Sequence, residues 1–130
     1  MGNVNRVIIS LGSNYDSDMN IECAVMELRA HFISIYFSDM VETEPDGDFP
    51  KDKPFINQVA IGYTDYEAEE LIALFKEIEQ LFGRSAENDK NHLIPIDIDL
   101  LLWNGQTLKP EDMRRKYVMD SVRLLVSRGI

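Results

Sequence analysis

The sequence predicts an α+β fold of order β-α-β-β-α-β, and three observations carry that prediction. The segment Ile96-Asp97-Ile98-Asp99-Leu100-Leu101-Leu102 alternates apolar and acidic residues at the period of a strand. Two stretches, Met19 to Phe32 and Leu71 to Phe82, repeat their apolar residues at helical spacing instead. Apolar, β-branched runs separated by Gly- and Pro-rich loops supply the remaining strands. This order is the split βαβ, or ferredoxin-like, arrangement: an antiparallel sheet with two helices on one face.

Each element has a local cause. Val7 to Leu11 is a mostly β-branched first strand, broken by Gly12-Ser13-Asn14. The first helix carries Ile21, Ala24, Val25, Leu28 and Phe32 on one stripe, with Ser17 or Asp18 as its cap. Ile33 to Val41 reads as a second strand. Glu42 to Pro54, with Pro45, Gly47, Pro50 and Pro54, reads as a long loop, a place where function often sits. Phe55 to Tyr63 is the third strand. Thr64-x-x-Glu67 has the pattern of a capping box for the second helix, whose stripe is Leu71, Leu74, Phe75, Ile78 and Phe82, with Gly83 just past its end. A polar loop from Arg84 to Asn91 precedes the acidic strand, and Asn104-Gly105 marks a turn. The tail from Pro110 onward is mixed, with room for a short helix.

At 130 residues, 45% hydrophobic and 28% charged, the chain fits one globular domain spanning residues 1–130. The formal charge of −10 argues against nucleic acid and anionic membranes as partners. It also means that a bound nucleotide would need cations. A single cysteine, Cys23, allows no internal disulfide and suits a reducing, cytoplasmic setting. No apolar run is long enough to span a membrane, and the start Met-Gly-Asn-Val-Asn-Arg lacks a signal pattern.

Chemistry concentrates on the acidic strand. Asp97 and Asp99 share one face, roughly 6–7 Å apart at Cα. A divalent cation relieves their repulsion, and oxygen ligands of this kind suit Mg²⁺ with substrate phosphates; a merely solvated strand face is the alternative. Phe55 and Asn57 lie on one side of their strand, where a ring and an amide together read a flat heterocycle, unless Phe55 is core. Gly12-Ser13-Asn14 is either an anion-accepting turn or a plain one. Arg84 is a phosphate ligand or a partner for the helix C-terminus. Arg114-Arg115-Lys116, with Arg123, is the main basic cluster, either an anion site or a charged helix face.

Taken together, Leu11-Gly12-Ser13-Asn14, Thr43-x-Pro45-x-Gly47, Phe55-x-Asn57, Ile78-Glu79-x-x-x-Gly83-Arg84 and Ile96-Asp97-x-Asp99-Leu100-Leu101-Leu102 resemble one family. It is that of the 6-hydroxymethyl-7,8-dihydropterin pyrophosphokinases of folate synthesis. The match runs over about residues 5 to 103, and the family fold is also ferredoxin-like. The resemblance implies transfer of a diphosphoryl group from ATP to the pterin, with two Mg²⁺ ions held by Asp97 and Asp99. It implies that Thr43, Pro45, Gly47, Phe55 and Asn57 contact the pterin. Glu79, Arg84, Ile98, Tyr117 and Arg123 would lie on the nucleotide side, Arg84 also contributing to catalysis.

The chain departs from the family pattern before the acidic strand and in the tail. Ala86 stands where a second arginine is expected, and Asn91-His92-Leu93-Ile94 replaces Trp-Gly-Pro-Arg. Glu44 replaces an apolar residue. Lys116-Tyr117 stands for a His-Tyr pair, Leu124 or Leu125 falls near the second stacking ring, and the last family segment is absent. The expectation is therefore a divergent, C-terminally short member acting on a pterin and ATP as a monomer or weak homodimer. A catalytically silent pterin- or nucleotide-binding relative and a ferredoxin-like interaction module are the rival readings.

Overall fold

A computed structural model describes residues 3–130; Met1 and Gly2, the first residues of the start read above, lie outside the described residues. Strand β1 (Asn5–Ser13) is followed by helix α1 (Ser17–His31), β2 (Ser34–Phe37), β3 (Val41–Thr43), β4 (Phe55–Thr64) and α2 (Ala68–Leu81). Then come α3 (Ala86–Lys90), β5 (Asp97–Trp103), β6 (Gln106–Thr107), α4 (Pro110–Met113) and α5 (Lys116–Ser127). All pairings are antiparallel, in the order β2-β4-β1-β5-β6, with β3 also on β4. This is the ferredoxin-like sheet. Among the described residues no helix is long and apolar enough to cross a membrane.

The alternation of side chains divides the core in two. Val7, Ile9 and Leu11 of β1 face α1 and α2, meeting Ile21, Leu28, Leu71 and Phe75 with Ile96, Ile98 and Leu100. Ile8, Val59, Ile61 and Leu101 face the other way, against Val118 and Leu125 of α5. The tail, read with room for a short helix, holds the four-residue α4 and then the twelve-residue α5, which roofs part of the second sheet face. The rest of that face stays open.

Several boundaries shift for local reasons. The predicted strand from Ile33 to Val41 is two strands on one partner, separated where Ser38 leaves the ladder: its Oγ accepts from Val59 N–H and its N–H donates to the Val59 carbonyl. The capping box belongs to Glu67 and Glu70, with Glu70 Oε1 accepting from Glu67 N–H at 2.8 Å. Thr64 instead ends β4, its Oγ1 accepting from Tyr66 N–H. Neither Ser17 nor Asp18 caps α1; the cap position falls on Asp16 at φ 45° with no side-chain hydrogen bond, and Ser17 Oγ donates back to the Ser13 carbonyl. The predicted loop from Arg84 to Asn91 contains α3, capped by Ser85, whose Oγ accepts from Asn88 N–H at 3.1 Å. Gly83 follows α2 at φ +97°, the backbone expected past a helix end.

Strand β5 holds one more departure. Ile8 pairs with Leu102 and Ile9 with Leu100, so Leu101 is an extra residue opposite β1. This bulge reverses the alternation beyond it. Leu102 consequently joins the α5 side, not the face of Ile96, Ile98 and Leu100 on which simple alternation put it.

Candidate active site

The open half of the second sheet face is the floor of a cavity of about 820 Å³. Its walls are one side of α5 along its length, from Lys116 to Leu125 with Arg128 just beyond, the β3–β4 loop and β3. Gly12 pairs with Asn57 of β4 on one side and Asp97 of β5 on the other, and Ser10 pairs with Val59 and Asp99 in the same way. Two small residues therefore form the strip between an aromatic–amide side and an acidic side. A Cβ on Gly12 would stand 3.3 Å from Asn57 Oδ1 and 3.7 Å from the Phe55 ring. Gly12 is glycine here for that closeness, within a strand that continues to Ser13 rather than breaking at Gly12.

On the aromatic side, Phe55 and Asn57 point into the cavity from alternate positions of β4, with Thr43 beside them on β3. Asn57 Nδ2 donates to Thr43 Oγ1 at 2.7 Å and to the Val41 carbonyl at 3.1 Å. Its donor capacity is thereby used, which leaves Oδ1 as the group toward Gly12 and the floor. Phe49, unnoticed in the sequence, also lines the cavity and packs on Phe55 with centroids 5.4 Å apart.

On the acidic side, Asp97 and Asp99 both line the cavity. Burial, and after it the neighbouring Asp97 carboxylate, raises the Asp99 carboxyl above its ordinary range, while Lys109 Nζ, donating to Asp99 Oδ1 at 3.0 Å, partly offsets this. Asp97 Oδ1 is 3.2 Å from Arg84 Nη1. Arg84 also donates to Asp89 Oδ1 at 2.6 Å and to the Ile96 carbonyl at 3.3 Å. Burial disfavours its charge, but Asp89 and Asp97 outweigh that and raise its pKa. Tyr117 enters from α5; burial lifts its phenol above the usual value against the opposing pull of Arg115.

The structure thus brings Thr43, Phe55, Asn57, Asp97, Asp99 and Tyr117 around one cavity. Other named positions stand elsewhere. Glu79 Oε2 accepts the Ile98 N–H at 2.8 Å, completing the outer edge of β5, and Arg84 lies beside it with Nη1 3.9 Å away. Ile98 is buried in the helix-side core. Pro45 is buried in the β3–β4 loop, Gly47 turns that loop at φ +57°, and Arg123 is exposed with Asp120 at 3.5 Å. Asn14 is no anion-accepting turn residue. It is buried and clamps the segment before β5, Nδ2 donating to the His92 carbonyl at 2.8 Å and Oδ1 accepting from Ile94 N–H at 2.6 Å. Of the basic cluster, Arg115 and Lys116 line the cavity, Arg115 bound to Asp46 at 3.1 Å and Lys116 to Asp120 at 2.8 Å. Ser10, Asp39 and Asp112 line the cavity as well, at positions not expected from the sequence. Ser10 alone had a signal, its position two residues before Gly12 on the same strand face.

Fold and cleft together define an α+β domain of ferredoxin-like topology with one cavity lined by an aromatic–amide pair and an acid pair. The chain belongs to the 7,8-dihydro-6-hydroxymethylpterin-pyrophosphokinase (HPPK) family, whose sequence model matches residues 8–126. Among curated relatives, a 2-amino-4-hydroxy-6-hydroxymethyldihydropteridine pyrophosphokinase from two strains of Porphyromonas gingivalis is 31% identical over 100 residues, covering 74% of this chain and 67% of the relative. A folate synthesis bifunctional protein of Arabidopsis thaliana is 33% identical over 101 residues, 75% of this chain and 20% of its own length. The resemblance drawn from the five motifs is borne out.

Proposed function

We propose that this chain transfers a diphosphoryl group from ATP to the hydroxymethyl oxygen of 6-hydroxymethyl-7,8-dihydropterin in folate synthesis, releasing AMP. Beside family membership, one observation carries the reading: the row Asn57, Gly12, Asp97 across β4, β1 and β5. It sets a heterocycle-reading pair and an acid pair about 10 Å apart, two strand spacings, with no side chain at Gly12 between Asn57 and Asp97. That span suits a pterin whose hydroxymethyl arm reaches toward a triphosphate.

Asp97 and Asp99 fit Mg²⁺. Among the described residues no three His, Cys, Asp or Glu side chains gather as a metal cage, but Mg²⁺ takes one or two carboxylates and completes its shell with water and phosphate oxygens. When bound, it supplies charge neutralisation to the triphosphate. The protein's own groups do the positioning. Phe55 offers a ring face for stacking, and Asn57 keeps Oδ1 for a ring N–H. Lys109, tied to Asp99, is placed to turn to a phosphate oxygen. In the transfer the hydroxymethyl oxygen bonds to the β-phosphorus, the bond to the α–β bridging oxygen breaks, and the hydroxyl proton is released. Orientation and electrostatics account for most of the acceleration. A cytoplasmic protein, monomeric or weakly dimeric, accompanies this reading.

The test is AMP formation from ATP, Mg²⁺ and the pterin. Asp97→Ala should lower the rate by at least about 100-fold while the circular dichroism spectrum stays that of the wild type. A rate that survives the substitution removes the acid pair from the mechanism. Binding without chemistry is the second reading, favoured because Arg84, Arg115 and Lys116 are already ion-paired within the chain. Pterin or nucleotide affinity with no AMP would select it.

A further inference from the structure

Phe49 is the middle of a chain of three rings. On one side it meets Phe55, centroids 5.4 Å apart and planes inclined by 62°. On the other it meets His92, at 4.9 Å and 56°. Phe49 and Phe55 line the cavity; His92 stands behind them, in the segment before β5. We propose that Phe49 is a second aromatic wall of the heterocycle site, and that His92 is the positioning residue that holds it there. The inference rests on the proposed function, because it requires a flat ring lying on Phe55.

The geometry gives the wall its chemistry. Phe49 and Phe55 make a corner rather than a parallel slot. A planar ligand stacked on Phe55 turns its edge toward Phe49. Ring edges carry positive charge and ring faces negative charge, so edge-to-face contact is favourable. The corner therefore selects flat heterocycles with C–H or N–H groups along that edge.

The same geometry requires a support. The β3–β4 loop that carries Phe49 is held by exposed or partly exposed ties: Lys51 Nζ to the Pro45 carbonyl at 2.9 Å, and Asp46 to Arg115 at 3.1 Å. Such ties are individually weak. The His92 backbone is fixed more firmly. Its carbonyl accepts from Asn14 Nδ2 at 2.8 Å, and Ile94 both donates to Asn14 Oδ1 at 2.6 Å and accepts from Asn14 N–H at 3.0 Å. Asn14 is only 7% exposed. His92 sits at φ 57° in this clamped turn, and its ring meets that of Phe49. Its ring is a fixed shelf, and Phe49 leans on it.

The experiment separates ring from backbone. Asparagine, like histidine, is enriched at positive φ, so His92→Asn keeps the turn and removes the shelf. Phe49→Leu keeps apolar bulk and removes the ring face; Phe49→Tyr restores the ring. Affinities for 6-hydroxymethyl-7,8-dihydropterin and for Mg-ATP are measured separately by calorimetry. The pterin Kd should rise about three- to tenfold in Phe49→Leu and in His92→Asn and return toward wild type in Phe49→Tyr, with the Mg-ATP Kd unchanged. Unchanged pterin affinity in Phe49→Leu overturns the wall, and unchanged affinity in His92→Asn overturns the shelf. Equal losses for both ligands mean general damage and overturn both roles. A wild-type chain that binds no pterin overturns the proposed function itself.

Discussion

Asp99 shows what an acid pair costs an empty protein. Its carboxyl is raised chiefly by burial and next by Asp97, so the folded state holds the proton more tightly than the unfolded chain, whose value is 3.8. The folded state therefore loses stability as pH rises from below 3.8 through the raised value. Without metal, Asp99→Asn should melt at a higher temperature than wild type at neutral pH. The difference should shrink as pH falls toward about 4. A variant less stable than wild type at neutral pH would show that the ion pair with Lys109 dominates instead. Lys109 is linked in the same sense but in another pH range: its hydrogen bond to Asp99 raises its pKa, and its contribution is lost only as alkaline pH passes that raised value.

Among the elements, β4 and β5 show where sequence reading succeeds and where it stops. Alternation is local, so Asp97 and Asp99 were legible as a pair on one face, and Phe55 with Asn57 likewise. The bulge at Leu101 depends on pairing with β1 and leaves no local mark, so the face taken by Leu102 was not legible. Helix α5 had its signal in Val118, Val122 and Leu125 at i, i+4 and i+7, overlaid by arginines and lysines before and among them. The clamp by Asn14 and the wall by Phe49 join residues far apart in the chain, and no spacing rule reaches them. Gly62 of β4 is a further case. A Cβ there would stand 2.8 Å from the Phe32 ring, at the point where α1 hands over to β2. Gly62→Ala should destabilise the protein by about 1–3 kcal/mol, the usual cost of overpacking, measured by urea denaturation. An unchanged midpoint would mean that Phe32 moves aside freely.

The molecule as a whole is acidic, at −10, and its cavity is acidic too, with Asp39, Glu44, Asp46 and Asp112 joining the pair. A triphosphate entering such a field meets repulsion that only bound cations reverse. Nucleotide affinity should therefore fall at least about tenfold when EDTA removes divalent metal, whereas pterin affinity, which depends on rings and an amide, should hardly change. Equal nucleotide binding with and without metal would assign the phosphates to the basic side chains that line the cavity, Arg115, Lys116 and Arg128, instead.

Helix α5 closes the core on one half of the sheet and walls the cavity on the other. Val118 and Leu125 are sealed against β4 and β5 while Tyr117 and Leu124 border the ligand space. The last helix is thus shared property of folding and recognition. Any ligand that touches it adds binding free energy to the work of peeling it away. A ligand bound in the cleft would thereby raise the solvent protection of amides along the whole of α5, so that hydrogen exchange in this helix would report whether the cleft is filled.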